Sequence, residues 1–409
     1  MPAAILPNSA AAEKLEALAA KLTEAASDLR AGTNASPQSH AKLVDTLRST
    51  VEVVNRPTDD LNDMMMGFVQ CTAIRLLLKW NVFENLPTEG TISYKELAAK
   101  VGGDESLITR LCWFLVATGM LKQEGADQVA HTARSRPYAS VNPLSAMLMI
   151  GFDEYLPSFV HMPRYFDTYG AHEPSGRLHS IKASAEGQPE LTATEIMYAQ
   201  PERVSNMALA MSSMENMYPL AGVYDYSWIA TAAAAKDADT DRALVVDVGG
   251  AKGHTLEAIC KDTPGLPLER CVLQDLPEVI EVVKGMARES KAGPKMVGMD
   301  FFNEQPIKGA LVYIIRRCLH DFSDKECIRI LTHLSNAMAP DSRLLIGETV
   351  LSNPPSRPTA MVDLLLSTIG GKERTIDGFN KIAERAGLKV SGVHRASFGD
   401  FSIIEYKKA

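Results

Sequence analysis

The feature that most narrows what this chain can fold into is the alternation of short apolar runs with helical patterns between residues 243 and 407. Runs at 243–248 (ALVVDV), 270–275, 310–316 (ALVYIIR) and 342–350 are hydrophobic almost throughout, and helical patterns at 253–262, 278–290, 323–338 and 376–387 alternate with them. A strand that is apolar on both faces must be covered on both faces. The order therefore predicts a doubly wound, Rossmann-like α/β domain with a mainly parallel sheet. The end of the chain departs from this rule. Residues 388–407 (LKVSGVHRASFGDFSIIEYK) read as two strands joined at Gly399-Asp400, which predicts a terminal antiparallel hairpin.

The strand ends carry the chemistry. VVDV runs straight into Gly249-Gly250-Ala251-Lys252-Gly253 and then a helix, so glycines stand where the backbone turns sharply and approaches a ligand at the sheet's C-terminal edge. A dinucleotide fingerprint would continue G-x-G-x-x-G from Gly249, but Ala251 and His254 occupy the later glycine positions, which argues against a nicotinamide cofactor. Asp275 closes the second strand, 26 residues after Gly249, where a carboxylate can accept hydrogen bonds from two ribose hydroxyls. The same acid could instead cap the helix that starts near Glu278. Asp300 closes a third strand in GMDFFNEQP, placed to receive an adenine amino group while Phe301 packs on the ring. Each feature alone has a purely structural reading, and three strand ends in one domain favour a shared ligand.

The N-terminal half reads differently. Residues 12–30 place Leu15, Leu18, Leu22 and Leu29 at helical intervals, and 31–40 is small, polar and loop-like. This amphipathic arm must bury its stripe, either on its own domain or on a second copy. A strongly apolar helical stretch at 61–87 is followed by helices at 94–101 and 105–120 and by a hairpin turning near Gly125-Ala126-Asp127, which is a winged-helix pattern. A helix that reads a DNA groove needs a basic, polar face. The third helix offers only Arg110 among Leu107, Leu111, Cys112, Phe114, Leu115 and Met120, so a dimerising module is expected in place of a DNA reader.

Residues 139–230 are mainly helical and carry a polar insert at 169–194 that is expected to border a cleft; 232–241 is small, polar and boundary-like. The expected organisation is an arm over 1–60, a winged-helix-like dimerisation domain over 61–140, a helical pocket region over 141–235 and a cofactor-binding domain over 236–409.

Bulk properties exclude several partners. The formal net charge of −8 gives no electrostatic reason to bind nucleic acid, whose affinity rests on Lys and Arg neutralising phosphates. The six cysteines, at 71, 112, 260, 271, 318 and 327, form no C-x-x-C pair, so neither a metal site nor a disulfide framework is signalled and buried reduced thiols are expected. No apolar run approaches the roughly 18 residues of a membrane span, and the N-terminus lacks a secretory pattern. A cytoplasmic protein acting on a small molecule is expected.

The strings VVDVGGAKG, LQDLPEVIE, MDFF, RRCLHDFSDKEC and GGKERT, in that order, resemble the plant and fungal small-molecule O-methyltransferases over residues 61–409. The resemblance implies S-adenosyl-L-methionine as cofactor, contacted by Gly249, Asp275, Asp300, Phe301 and Arg316, the last standing where many relatives carry Lys. Ala251 departs from a more usual Gly, which puts cofactor affinity in question. A phenol ionises near pH ~10, so a base titrating near neutrality helps its methylation most, and His320 follows the strand ALVYIIRRCL at the sheet edge. In the family this His is the general base. Asp321 follows it, and Glu348 and Glu373 match acidic residues that flank and orient it. Charge is annihilated as phenolate meets sulfonium, so an apolar pocket favours the transition state. Met207, Met211, Met214 and Met217, and Met361 before Asp363, are candidates to line it, Met211 by its match to a family position.

The expectation is methyl transfer to a phenolic, polyketide-like acceptor by a homodimer. Two other readings stand beside it: a relative that uses S-adenosylmethionine in a pericyclic or dehydration reaction without methyl transfer, and a winged-helix binding protein.

Overall fold

A computed structural model describes residues 9–31, 37–214, 218–235, 239–286, 293–397 and 399–409. The chain divides into two compact units, Met1–Ala139 and Ser140–Ala409.

In the first unit, helices α1 (Ser9–Ala31) and α2 (Pro37–Val54) precede α3 (Pro57–Lys79). Residues 37–40, read from sequence as loop, open α2; 32–36 lie outside the described residues. Helix α3 starts earlier than its apolar stretch. Pro57 is preset for the first helical turn, and the Asp59 carboxylate accepts the Arg56 backbone N–H at 3.0 Å. The helix also ends earlier than expected, because Asn81 turns into the left-handed region at φ 54° before the short α4 (Val82–Asn85). Strand β1 (Ile92–Ser93) leads into α5 (Tyr94–Val101), capped by a reciprocal Ser93–Glu96 box. Asp104 caps α6 (Glu105–Ala117) through the Leu107 N–H. A hairpin of β2 (Leu121–Glu124) and β3 (Gln128–His131) completes a three-stranded sheet, β1-β3-β2. Ile108, Cys112 and Leu115 of α6 are core residues, so this helix is an internal strut of the winged-helix unit.

In the second unit, α7 (Pro143–Ile150) runs through one π-helical turn at Gly151–Tyr155 into α8 (Leu156–Tyr169). The polar insert contains α9 (Ile181–Ala185) and the start of α10 (Ala193–Tyr198), ahead of α11 (Pro201–Met214) and α12 (Ser227–Ala233). Then come β4 (Val245–Val248), α13 (His254–Asp262), β5 (Cys271–Asp275), α14 (Pro277–Met286), β6 (Lys295–Gly298), β7 (Val312–Arg316), α15 (Asp324–Ala337), β8 (Arg343–Thr349), α16 (Arg357–Ser367), α17 (Ile376–Arg385), β9 (Leu388–Arg395) and β10 (Phe401–Lys408). The expected last turn of α14, 287–290, lies outside the described residues, and α16 has no counterpart in the sequence reading.

The seven strands order as β6-β5-β4-β7-β8-β10-β9. All pairs are parallel up to β8, and β10 is antiparallel to both of its neighbours, as the terminal hairpin requires. Two apolar layers cover the sheet. One packs α15 and α17 over Val246, Tyr313, Leu344 and Tyr406; the other packs α12, α13 and α14 over Val245, Leu273 and Ile314. Strand order reverses between β4 and β7, and loops that leave adjacent strands in opposite senses open a crevice at their C-terminal ends. Gly249 follows β4 there, and Arg317 to His320 follow β7.

Candidate active site

The second half of the crevice is organised by a carboxylate. Glu348, fully buried at the end of β8, accepts the Cys318 and Leu319 backbone N–H groups on Oε1 at 2.9 and 2.8 Å. Wrapping around that oxygen forces the chain to turn as it leaves β7, and Arg317 takes up a left-handed φ of 53°. A single 3₁₀ turn, Leu319–Asp321, then presents His320.

Glu373 arrives from the loop after α16. The Lys372 N–H donates to the His320 carbonyl at 2.8 Å, and a Cβ on Gly371 would lie 2.2 Å from that same oxygen, so glycine permits the approach. Arg374, buried, locks the loop by donating to the Leu319 and Phe322 carbonyls at 3.0 and 2.7 Å and to Asp324 at 2.9 Å. Asp363 accepts the Glu373 N–H at 2.8 Å and so sets the backbone of Glu373.

The result is an imidazole among three carboxylates. His320 Nδ1 lies 3.3 Å from Glu373 Oε1 and 3.5 Å from Glu348 Oε2, and Nε2 lies 3.6 Å from Asp321 Oδ1. The Oε2 atoms of Glu348 and Glu373 are buried without a hydrogen-bond partner, so they draw on the charge of the ring. Burial opposes the imidazolium, but Glu348, Asp321 and Glu373 outweigh it and raise His320 to about 9. Burial pushes the Asp321 carboxyl up, and His320 and Arg317 pull it back. Ligand atoms of His320, Glu348 and Glu373 lie within 4.8 Å of one another, a spacing that would suit a cation once the ring lost its proton. The protonated ring already supplies positive charge at that place.

The other half of the crevice is the glycine turn. Gly249 has φ 71°, and a Cβ on it would stand 2.9 Å from Cys318 Sγ and 3.4 Å from the Phe301 ring, so only glycine fits the close packing of the turn against those side chains. Asp275 does not cap α14. Its Oδ2 accepts the Ala251 N–H and its Oδ1 the Leu276 N–H, both at 2.8 Å, so it ties the turn after β4 to the end of β5. Ala251 sits at φ 48°, which explains the preference for glycine noted at this position. Asp300 Oδ1 accepts the Phe302 N–H, and Phe301 packs edge-on to Phe302 and Phe322. Arg316 donates to the Tyr218 carbonyl at 2.7 Å. Beneath the turn, burial raises Asp247 to about 7, with Arg316 opposing and Asp275 adding to the shift.

On the Nε2 side of His320, the Asp321 side chain is 44% exposed. Tyr155, aimed by the π-helical turn, feels the Asp321 charge, and burial foremost pushes its phenol to about 12. Tyr155 packs with Met147, Met149, Met207 and Met211 against Ala146, Ile150 and Ala210, forming an apolar wall. Met211 Sδ lies 3.6 Å from an Arg317 nitrogen, which joins that wall to the His320 segment. Met361 is 59% exposed and stands outside the wall. Met217 and the Met214 side chain lie outside the described residues. The polar insert lies on the loop carrying Glu373, through Lys182 N–H to the Thr368 carbonyl at 2.8 Å and Lys372 to Glu173 at 3.1 Å.

The sequence reading missed Asp247, Tyr155, Arg317 and Arg374. Asp247 and Arg317 lie inside quoted motifs and Arg374 directly follows Glu373, whereas nothing in the local pattern marks Tyr155.

This arrangement can be compared with known proteins. Residues 195–389 match the O-methyltransferase domain and 62–141 the O-methyltransferase dimerisation domain. The chain is 34% identical over 405 residues to the methyltransferase cfoD of Aspergillus candidus, covering 98% of this chain and 100% of that one. It belongs to the O-methyltransferase family. The family is dependent on S-adenosylmethionine, so this chain is an S-adenosylmethionine-dependent methyltransferase. Solved structures share the fold. OxaC in complex with sinefungin and meleagrin superposes with a TM-score of 0.84 at 24% identity over 97% of this chain and 99% of that one. LepI in complex with S-adenosylmethionine gives 0.80 at 22% identity over 96% of this chain and 99% of that one. Among the described residues of the methyltransferase, no helix is long and apolar enough to cross a membrane.

Proposed function

We propose that this methyltransferase methylates a hydroxyl oxygen of a small secondary metabolite, phenolic or enolic, with His320 as the group that takes the proton. The observation that carries this reading is the His320–Glu348–Glu373 cluster, which faces the glycine turn across the β4–β7 crevice.

The residues present fit S-adenosylmethionine. The turn at Gly249 packs so closely on Cys318 and Phe301 that only glycine fits, Asp275 ends β5, and Asp300 follows the adjacent β6 by two residues. Bound there, the cofactor supplies an electrophilic methyl group on a sulfonium. In its unprotonated form, which grows toward pH 9, His320 accepts the hydroxyl proton on Nε2 as the acceptor oxygen takes the methyl group. The cofactor would leave as S-adenosylhomocysteine, with the methyl ether and the imidazolium as the other products. Glu373 and Glu348 hold Nδ1 and stabilise the charged ring. The wall of Met207, Met211 and Tyr155 excludes water while charge is neutralised. Asp363 acts through the Glu373 backbone, and the functional molecule is a homodimer formed through the dimerisation domain.

Purified protein, labelled S-adenosylmethionine and a panel of phenols and enols test the reading. Label should enter an O-methyl product, and His320→Ala should lower turnover ~10²–10⁴-fold, the usual contribution of a positioned base, with cofactor affinity little changed. An acceptor already ionised at the assay pH should recover much of that loss. Methyl transfer at the wild-type rate by His320→Ala to a neutral phenol would overturn it, as would a product formed without S-adenosylhomocysteine.

A further inference from the structure

Three separate stretches of chain meet at the imidazole, and Arg374 joins all of them. Its buried guanidinium donates from Nη1 to the Leu319 carbonyl at 3.0 Å and from Nη2 to the Phe322 carbonyl at 2.7 Å, the residues on either side of His320 and Asp321. Nη1 also donates to the Lys372 carbonyl at 3.2 Å, within its own loop, and Nε donates to Asp324 Oδ1 at 2.9 Å. The backbone adds the third stretch. Arg374 forms a parallel bridge with Val350, and its carbonyl accepts the Leu351 N–H at 2.9 Å, so the loop is in register with the end of β8, just beyond Glu348. A guanidinium holds several acceptors at once through a rigid planar fork, which a flexible ammonium cannot copy. Glu373 is its neighbour in the chain. A side chain that grips the His320 turn from that place also fixes the 3.3 Å between Glu373 Oε1 and His320 Nδ1.

We infer that Arg374 is a positioning residue for the proton transfer: it holds the His320 turn, the Glu373 loop and the end of β8 in one register, and so keeps the carboxylates against the ring. It acts through His320 and Glu373 and takes no proton itself. The inference rests on the proposed methyl transfer for its effect on rate, and goes beyond it in assigning the geometry of the base to a residue outside the cluster. Two effects of the arginine on the ring have opposite signs. The charges that face the imidazole are Glu348 from β8, Asp321 from its own turn and Glu373 from the loop. As a nearby cation alone, Arg374 would disfavour the imidazolium, and removing it would make the ring more basic. As a positioning group, its removal frees Glu373 to leave the ring, and the imidazolium loses support. Asp324 pairs with the guanidinium at 2.9 Å and answers its charge, which leaves the second effect the larger.

Nuclear magnetic resonance of the full chain, labelled at histidine Cε1 and saturated with S-adenosylhomocysteine, tests it, the His320 signal being identified by its loss in His320→Gln. The wild-type ring should titrate at about 9. In Arg374→Met the midpoint should fall toward the ~6.5 of a free imidazole. In Arg374→Lys, which keeps the charge beside Asp324, it should fall part of the way, and this variant carries the test if Arg374→Met does not fold. Turnover of a neutral phenol above pH 9, where the ring is largely unprotonated in every variant, should drop about 10–10²-fold in Arg374→Met, the scale of a misplaced catalytic group. KM for S-adenosylmethionine should stay within about twofold, because the glycine turn is untouched. A midpoint that stays at the wild-type value or rises in the folded variants overturns the inference. So does undiminished turnover where His320→Ala is impaired, and so does loss of the folded state in both variants, which makes Arg374 a residue of stability alone. The two readings fail separately. A lowered midpoint beside full methyl transfer by His320→Ala sinks only the proposed base, and an unmoved midpoint beside an impaired His320→Ala sinks only the role of Arg374.

Discussion

Two residues show how local conformation and charge decide behaviour here. Ala251 occupies a left-handed backbone position while its N–H serves Asp275, so its methyl group is tolerated under strain. Ala251→Gly should relieve that strain, and the gain should exceed the entropy a glycine adds to the unfolded chain. A net stabilisation of a few tenths to ~1 kcal/mol is expected, with cofactor affinity maintained or improved. Thermal melts with and without S-adenosylmethionine check this, and a lower melting temperature would contradict it. His320 sets the pH dependence. Its pKa is raised to about 9, so at pH 7 the free enzyme is almost wholly in the imidazolium form. With a simple phenol, whose own pKa is near ~10, kcat/KM should climb roughly tenfold per unit from pH 7 and level off near 9. With an acceptor already ionised at pH 7, kcat/KM should stay flat and fall only above about 9, when the ring loses the proton that pairs with the anion. A profile breaking near 6.5 for both acceptors would show that the three carboxylates do not hold the ring as the geometry implies.

At the scale of elements, the π-helical turn is the device that aims Tyr155, and a buried ion network holds it. Glu154, within the turn, accepts from Lys182 of α9 at 2.8 Å and from Arg203 of α11, and both cations also reach Glu186, each at 2.8 Å. Lys182 is in turn bound through its N–H to Thr368, in the loop that brings Glu373 to His320. One network therefore fixes the apolar wall and reaches the loop bearing the ring's partner. Removing one member of a buried pair strands the others, at a cost of about 3–5 kcal/mol. Glu154→Ala should lower the unfolding free energy measured in urea by that order, and Arg203→Met should do likewise. A loss below ~1 kcal/mol in both would mean that water replaces the missing partner.

At the scale of the whole molecule, α3 leaves a stripe uncovered. Leu61, Met64, Met65, Phe68 and Val69 follow the i, i+3, i+4, i+7, i+8 spacing of one helical face, and all five are exposed. A contiguous apolar stripe of this kind marks an association surface, and it falls within the segment matching the dimerisation domain. Phe68→Asp should convert a dimer to a monomer in sedimentation at micromolar concentration, with the circular dichroism of the helices retained. A dimer that persists would move the interface elsewhere. Of the stripe on α1, Leu15, Leu18 and Leu22 are half-buried where α1 packs with α2, and Leu29 is exposed, as are Leu47, Val51 and Val54 of α2.

The strand ends were legible in the sequence because each is local. A run of apolar residues, a glycine turn and a terminal acid sit within about ten residues, so Gly249, Asp275, Asp300 and His320 could be placed at one sheet edge from periodicity and the right-handed crossover rule alone. The terminal hairpin was legible for the same reason. What joins residues distant in sequence was settled by packing. Asp275 serves the Ala251 amide across a strand boundary, and Glu348 bends the chain after β7, giving Arg317 its direction. The fourteen-residue α11 and the π-helical turn meet to build the wall that includes Met211 but not Met361. Sequence patterns record which face of an element is apolar. Which faces meet, and which carboxylate charges the imidazole beside it, depend on long-range contacts that form only when the sheet closes its crevice between β4 and β7.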